Sequence, residues 1–195
     1  MATTSKKEHI LLVISGPSGS GKSTIAKAIV RDYNNFTISV SLTTRPMRVG
    51  EVNGKDYYFV SPEEFEALRQ RQELLEVTEL CGNYYGTSRS NIMELMQQGQ
   101  NIIFDVDYDG AKIIKQNWPL FTVCIFIQPP SLEATKERLI SRQDDLKNIS
   151  QRIEKFEEVM ASKDYYEHIV VNDVLENAVA EIRQIIDLHL IDQNK

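Results

Sequence analysis

The run Gly16, Pro17, Ser18, Gly19, Ser20, Gly21, Lys22, Ser23 satisfies the spacing G-x-x-x-x-G-K-[ST] at every fixed position. Its setting is as restrictive as its letters. The apolar run from His9 to Ser15 predicts a buried strand before it, and Lys22 to Arg31 carries helical spacing after it. Glycines at these places let backbone N–H groups turn inward around anionic oxygens, and the helix N-terminus adds its dipole. Lys22 is then placed to reach β- and γ-phosphates, and the Ser23 hydroxyl to ligate Mg²⁺. With Thr24 at the first helical turn, residues 16–24 form the expected cradle of a nucleoside triphosphate. The plainer alternative, a Gly/Ser-rich turn with an incidental lysine, leaves the flanking strand and helix unexplained.

At 195 residues the chain fits one globular unit with a small inserted subdomain. The net charge of −6 argues against binding nucleic acid through its backbone, so any anion site must be a local cluster of cations. Cys124 lies in the apolar run Phe121 to Ile127 and reads as core, and neither it nor Cys81 belongs to a CxxC pair. That usage suits a reducing cytoplasm. The polar first nine residues give no secretory signal, and no apolar run reaches membrane-spanning length.

Strand and helix patterns alternate along most of the chain. Strands are expected at Phe36 to Ser41, Asn101 to Asp105, Phe121 to Ile127 and His168 to Val171. Helices are expected at Tyr108 to Gln116, Ser131 to Ser141, Ser150 to Ser162 and Leu175 to His189. This order predicts an α/β fold with a parallel central sheet covered on both faces. From 42 to about 90 the pattern changes to short strands, Tyr57 to Val60 and Leu74 to Glu79, with turn signals at Gly50, Asn53-Gly54 and Gly82-Asn83. A helix capped near Ser61-Pro62 interrupts them. An inserted, mostly antiparallel sheet is the expectation.

Asp105 closes one expected parallel strand, so its carboxylate falls at the sheet edge where ligands of open α/β folds bind. There it would support the Mg²⁺ shell through water; a helix cap is the plainer reading. The cradle leaves the phosphate acceptor open. A guanine-reading N-K-x-D motif, typical of switch GTPases, is absent. Arg45 and Arg48, three apart in a segment containing Pro and Gly, suit a two-pronged anion clamp, because guanidinium forks match phosphate oxygens bidentately. Tyr57 and Tyr85 would add hydroxyl donors. The alternative is two solvated arginines and two tyrosines packed in a sheet.

The segment Ser39 to Tyr57, with Arg45, Arg48, Gly50 and Gly54 at its fixed places, resembles the signature of the guanylate kinase family. Gly82 to Thr87, the Asp105/Asp107 pair, Pro129-Pro130-Ser131 and Val171-Asn172-Asp173 extend the resemblance from about Ile10 to Leu190. It implies a P-loop three-layer core (about 8–41, 91–130 and 163–195), a GMP-binding insertion (about 42–90) and a short helical lid (about 131–162). It also implies transfer of the γ-phosphate of ATP, with Mg²⁺, to GMP. Arg45, Arg48, Tyr57 and Tyr85 then hold the GMP phosphate, and Glu76 and Asp107 the base, with Ser41 and Thr87 supplementing them. Lys22, Arg45, Arg138 and Arg152 carry the catalytic charge; Arg138, Arg142 and Asn172 join the cradle at ATP.

The base assignment has its own chemical logic. Guanine presents N1–H and a 2-amino group as adjacent donors, and an ionised carboxylate accepts both. One departure stands out: the family's R-G-x stretch in the lid reads Arg142-Gln143-Asp144-Asp145 here, which removes a flexible glycine and adds negative charge. Arg138 and Arg152 are therefore expected to matter more than Arg142. Two further readings use the same core: a scaffold module that binds peptides at the old acceptor site, and a kinase for another acceptor such as a phosphorylated sugar. An intact P-loop and no room for a neighbouring interaction domain weigh against the first. Neither a nucleic acid, a membrane nor a protein partner is indicated.

Overall fold

The computed structural model describes residues 9–141 and 146–193. Its central element is β1 (Leu11–Ser15), whose five residues are all buried. Alternation along it serves two cores. Ile10, Leu12 and Ile14 face one way, against Ile25, Ala26 and Ile29 of α1 (Lys22–Asp32) and Ala178, Ile182 and Ile186 of α8 (Leu175–Gln193). Leu11 and Val13 face the other, with Ile92 of α3 (Arg89–Gln97) and Ala111 and Ile114 of α4 (Tyr108–Asn117). A strand buried on both faces is what a parallel sheet between helical layers requires.

Five parallel strands complete that sheet in the order β2-β7-β1-β8-β9. They are β2 (Phe36–Ile38), β7 (Asn101–Asp105), β8 (Thr122–Gln128) and β9 (His168–Val171) beside β1. The side chain of Asn101, 3% exposed, accepts the Ile10 backbone N–H at 2.7 Å and fixes how β7 enters beside β1. β1 and β7 end together, Ile14 opposite Asp105, so the P-loop and the Asp105 carboxylate emerge at one edge.

The segment between β2 and α3 forms a second sheet, ordered β4-β3-β6-β5. β5 (Leu74–Leu80) and β6 (Asn83–Ser88) make an antiparallel hairpin, β3 (Leu42–Thr43) runs antiparallel to β6, and β4 (Tyr58–Phe59) is parallel to β3. The sheet is thus mixed rather than purely antiparallel, because α2 (Pro62–Gln70) carries the chain from β4 to β5. Ser61 starts α2 with a capping box: its hydroxyl accepts the Glu64 N–H, and the Glu64 carboxylate accepts the Ser61 N–H. This sheet has its own small core of Leu42, Phe65 and Leu74, where Phe65 stacks on Tyr84 with ring centroids 5.7 Å apart.

Two expectations need correction. The strand expected to run to Ser41 ends at Ile38, and the sheet changes before Leu42. The single helix expected at Ser150 to Ser162 is α6 (Leu146–Glu154), α7 (Phe156–Ala161) and a 3-10 turn (Ser162–Tyr165), broken at Lys155. α5 (Leu132–Ser141) precedes them as expected. β6 and α3 carry no signal strong enough to be read from the sequence.

Because the Phe65 cluster shares no residue with the two cores of the central sheet, damage to it should stay local. Phe65→Ala is expected to cost about 3–5 kcal/mol and to release amide protection in β3, β5 and β6. Protection in β1, β7 and β8 should persist in hydrogen exchange; equal loss in both sheets would show that they unfold as one unit.

Candidate active site

The P-loop leaves β1 at Gly16, and its shape is dictated by what lies against it. A Cβ on Gly16 would stand 2.3 Å from the Ile127 carbonyl oxygen of β8, so no larger residue lets the loop pack there. Gly21, with φ of 97°, would meet the Asn172 side chain at 2.1 Å. Asn172 is 4% exposed and donates its side-chain N–H to the Ser20 carbonyl at 2.7 Å. Lys22 curls over the loop and donates to the carbonyls of Gly16 (2.9 Å) and Pro17 (3.1 Å).

Arg138 and Arg152 both reach this loop. Arg138 of α5 donates to the Asn172 carbonyl at 3.0 Å and to Gly19 at 3.5 Å. Arg152 of α6 donates to the Ser18 hydroxyl at 2.9 Å. Arg142 lies outside the described residues. Gly19, Gly21, Thr24, Arg138, Asn172 and Asp173 line a cleft beside the loop.

The Ser23 hydroxyl donates to the Asp105 carboxylate at 2.7 Å. Two hard oxygen groups thus meet at the mouth of the P-loop, the kind of donor chemistry that suits Mg²⁺. Among the described residues no group of three or more His, Cys, Asp and Glu gathers as a metal site. A divalent ion at Ser23 and Asp105 would draw its other oxygens from water and phosphates, as Mg²⁺ commonly does.

Across from this edge, the second sheet presents its cations and hydroxyls. The Arg45 side chain, 10% exposed, forms a two-point ion pair with Glu51, at 2.7 and 3.1 Å. Its Cζ lies 5.4 Å from the Tyr57 ring centroid and 5.6 Å from that of Phe59. Glu51 also accepts the Arg48 backbone N–H at 2.8 Å. Burial opposes ionisation of Glu51, but the Arg45 hydrogen bonds and the Arg48 amide outweigh it and hold the carboxyl below its usual range. Tyr57 and Tyr85 meet edge to face at 5.9 Å. Burial, with the Asp105 charge next, pushes the Tyr57 phenol up to about 12, so it remains a donor at neutral pH.

The carboxylate pair expected at a base is also assembled. Glu76 on β5 is 6% exposed and accepts the Thr87 hydroxyl at 2.7 Å. Asp107 uses one oxygen to cap α4, accepting the Gly110 N–H at 2.9 Å, and the other to accept the Thr78 hydroxyl at 2.8 Å. The capping alternative for Asp107 therefore holds alongside its place beside Glu76. Ser41 sits at the edge of this region, its carbonyl accepting the Tyr58 N–H at 2.9 Å.

Two participants escaped the sequence reading, Glu51 and Thr78. Thr78 could have been found from its spacing, two residues beyond Glu76 on one strand face. Glu51 had a fainter signal, a carboxylate directly after the Gly50 turn and six residues beyond Arg45.

A family model described as guanylate kinase matches residues 8–189. The chain belongs to the guanylate kinase family. A guanylate kinase of Symbiobacterium thermophilum is 41% identical over 182 residues, covering 93% of this chain and 86% of that protein. One from Clostridium tetani is 42% identical over 183 residues, covering 92% and 86%. Among solved structures, the crystal structure of guanylate kinase from Anaplasma phagocytophilum superposes with a TM-score of 0.75 at 32% identity, covering 96% of this chain and 87% of that one. The guanylate kinase fold thus accounts for both sheets and not for the P-loop core alone.

Glu76 makes the site's pH dependence calculable in sign. Burial drives its carboxyl up from 4.5 to about 7, against the Thr87 hydrogen bond and with the Asp107 charge adding to it. Between those values the folded protein holds a proton that the unfolded chain has lost, so stability falls as pH rises through the window. The total is up to about 3 kcal/mol. Denaturant titrations from pH 4.5 to 7.5 should show that fall in the wild type and a flatter profile in Glu76→Gln. Identical profiles would mean that Glu76 titrates alike in the folded and unfolded chain.

Proposed function

We propose that the protein transfers the γ-phosphate of ATP directly to GMP, giving ADP and GDP. The observation that carries this reading is one arrangement: a P-loop edge bearing Ser23 and Asp105 faces an Arg45/Tyr57/Tyr85 cluster and a Glu76/Asp107 pair. The first suits a triphosphate with its metal, the second a monophosphate, the third a base with two adjacent donors. The division of labour that follows is a core at about 8–41, 91–130 and 163–195, a GMP-binding insertion at about 42–90, and a lid at about 131–162. Support for it comes from the separate Phe65 core of the second sheet and from the two lid arginines at the P-loop.

On this reading residues 16–24 bind ATP, with Asn172 holding the loop in shape. Mg²⁺, held by Ser23 and by Asp105 through water, would supply charge neutralisation at the phosphates. Lys22, Arg138 and Arg152 neutralise charge on the donor, and Arg45, Arg48, Tyr57 and Tyr85 orient the acceptor phosphate. That acceptor oxygen is largely ionised near neutral pH, so the step needs in-line placement and charge stabilisation rather than a general base. Glu76 and Asp107 accept hydrogen bonds from guanine N1–H and the 2-amino group, with Ser41 and Thr87 nearby. We place the reaction in the cytoplasm and in purine nucleotide metabolism, where the free thiols Cys81 and Cys124 stay reduced. No helix among the described residues is long and apolar enough to cross a membrane.

The deciding experiment measures ADP release over a panel of nucleoside and sugar phosphates. GMP should exceed AMP by about three orders of magnitude or more in kcat/KM, because AMP leaves a buried carboxylate unpaired. IMP, which lacks the amino group, should fall between. AMP or a sugar phosphate performing as well as GMP would refute the acceptor assignment.

The charge roles are testable separately. Lys22→Ala should fold normally and lose about two or more orders of magnitude in turnover. Arg138→Ala and Arg152→Ala should each lower kcat further than Arg142→Ala. If Arg142→Ala were the most damaging of the three, the ranking would be wrong.

A further inference from the structure

Arg45 is held in a way that decides which of its edges can meet a ligand. A guanidinium has five N–H donors, arranged as an end-on pair from Nη1 and Nη2, a side-on pair from Nε and Nη2, and one Nη1–H directed back along the side chain. Glu51 occupies the end-on pair: Oε2 accepts from Nη1 at 3.1 Å and Oε1 from Nη2 at 2.7 Å. The Pro46 carbonyl accepts from Nη1 at 2.7 Å. None of these three acceptors engages the Nε–H or the second Nη2–H, which together form a complete second fork. The Glu51 carboxylate does not compete for that fork.

Glu51 is itself fixed. Its Oε2 accepts the Arg48 N–H at 2.8 Å, and its own N–H bonds back to the Arg48 carbonyl at 3.2 Å. One carboxylate therefore holds the turn 45–51 at two points, the Arg45 side chain and the Arg48 backbone. The Tyr57 and Phe59 rings flank the guanidinium. Arg45 has little rotational freedom left to lose when a ligand arrives, which lowers the cost of binding.

We propose that Glu51 is a positioning residue for the acceptor: by taking the end-on edge of Arg45 it presents the Nε–Nη2 edge as a ready bidentate fork for the phosphate of GMP. This rests on the reading of Arg45 as part of the acceptor clamp. Glu51 touches neither substrate on this account, and its contribution passes entirely through Arg45 and the turn it closes.

A double-mutant cycle in steady-state kinetics tests it, using Glu51→Gln, Arg45→Lys and the double variant with GMP and ATP each varied. Glu51→Gln keeps the side-chain length but replaces one accepting oxygen with an amide donor, which faces an N–H in either orientation. It should raise the KM for GMP about tenfold or more, as misplacement of a clamp does, with the KM for ATP changed less than about twofold. Arg45→Lys lacks the fork, so adding Glu51→Gln to it should do little more. A purely structural Glu51 predicts instead that the two penalties combine in full, and that result would overturn the proposal. So would a Glu51→Gln enzyme indistinguishable from wild type while Arg45→Lys is impaired toward GMP; the acceptor reading would then survive. If Arg45→Lys itself leaves the KM for GMP unchanged, the clamp reading fails and the proposal with it. Thermal melting accompanies each variant. Should Glu51→Gln not fold, Glu51→Asp, which keeps the charge but shortens its reach, enters the same cycle with the same criteria.

Discussion

Three bonds from Asn172 tie the end of β8, the P-loop and α5 to one another. Its backbone N–H bonds to the Gln128 carbonyl at the end of β8, at 2.8 Å. Its side chain donates to Ser20 in the P-loop, and its carbonyl accepts from Arg138 on α5. A loop made of glycines and serines cannot hold its own shape, because it has no side chains to pack and its conformational freedom is high. Asn172 supplies the missing constraint from outside. The close fit of Gly21 against its amide explains why no side chain is tolerated at position 21: the contact is backbone against amide, with no room for a methyl group. A loop held in one shape need not be reorganised when charge develops beside it, which is the physical content of preorganisation.

The second sheet is tied to the core by Leu75 of β5, which is buried among Leu11, Ile92 and Phe104, and by a few polar contacts. Lys27 of α1 meets Asp56 at 3.0 Å, but Lys27 is 63% exposed and such a pair contributes little. The Thr78 hydroxyl on the Asp107 carboxylate is more consequential, since it links β5 to the first turn of α4. On the proposed reading, the base is read by one carboxylate from each body, Glu76 from the second sheet and Asp107 from the core. A ligand that needs both would then favour the arrangement that brings them together, at no cost in new contacts elsewhere.

How much of this the sequence disclosed depended on whether the signal was local. β1 and the P-loop were legible because period, composition and motif all point the same way within fourteen residues, 10–23. The carboxylate pair was legible in residue type, since guanine's donors call for acceptors. β6 was not. Its run from Asn83 to Ser88 has no alternating pattern, because it lies between β3 and β5 and is only partly buried over its first half. The break at Lys155 was invisible for a different reason: helical period continues across it, with Ile149 and Phe156 buried on either side. Glu51 was missed because reading an anion site means looking for cations, and the residue that orients a cation bears the opposite sign.

That sign is informative about the two ends of the reaction. Arg138 and Arg152 donate to neutral acceptors, the carbonyls of Gly19 and Asn172 and the hydroxyl of Ser18. Arg45 is held by a carboxylate. Neutral acceptors orient a cation without cancelling its charge, so on the proposed reading Arg138 and Arg152 keep theirs for a triphosphate and for the charge that moves during transfer. A carboxylate orients more strongly but spends part of the field. At the acceptor end that exchange is sound, because GMP brings a smaller charge and must leave as GDP with one phosphate more. Too strong a field there would retain the product, and slow release would then limit turnover. A chain with net charge −6 thus handles two anions by choosing, cation by cation, what holds it in place.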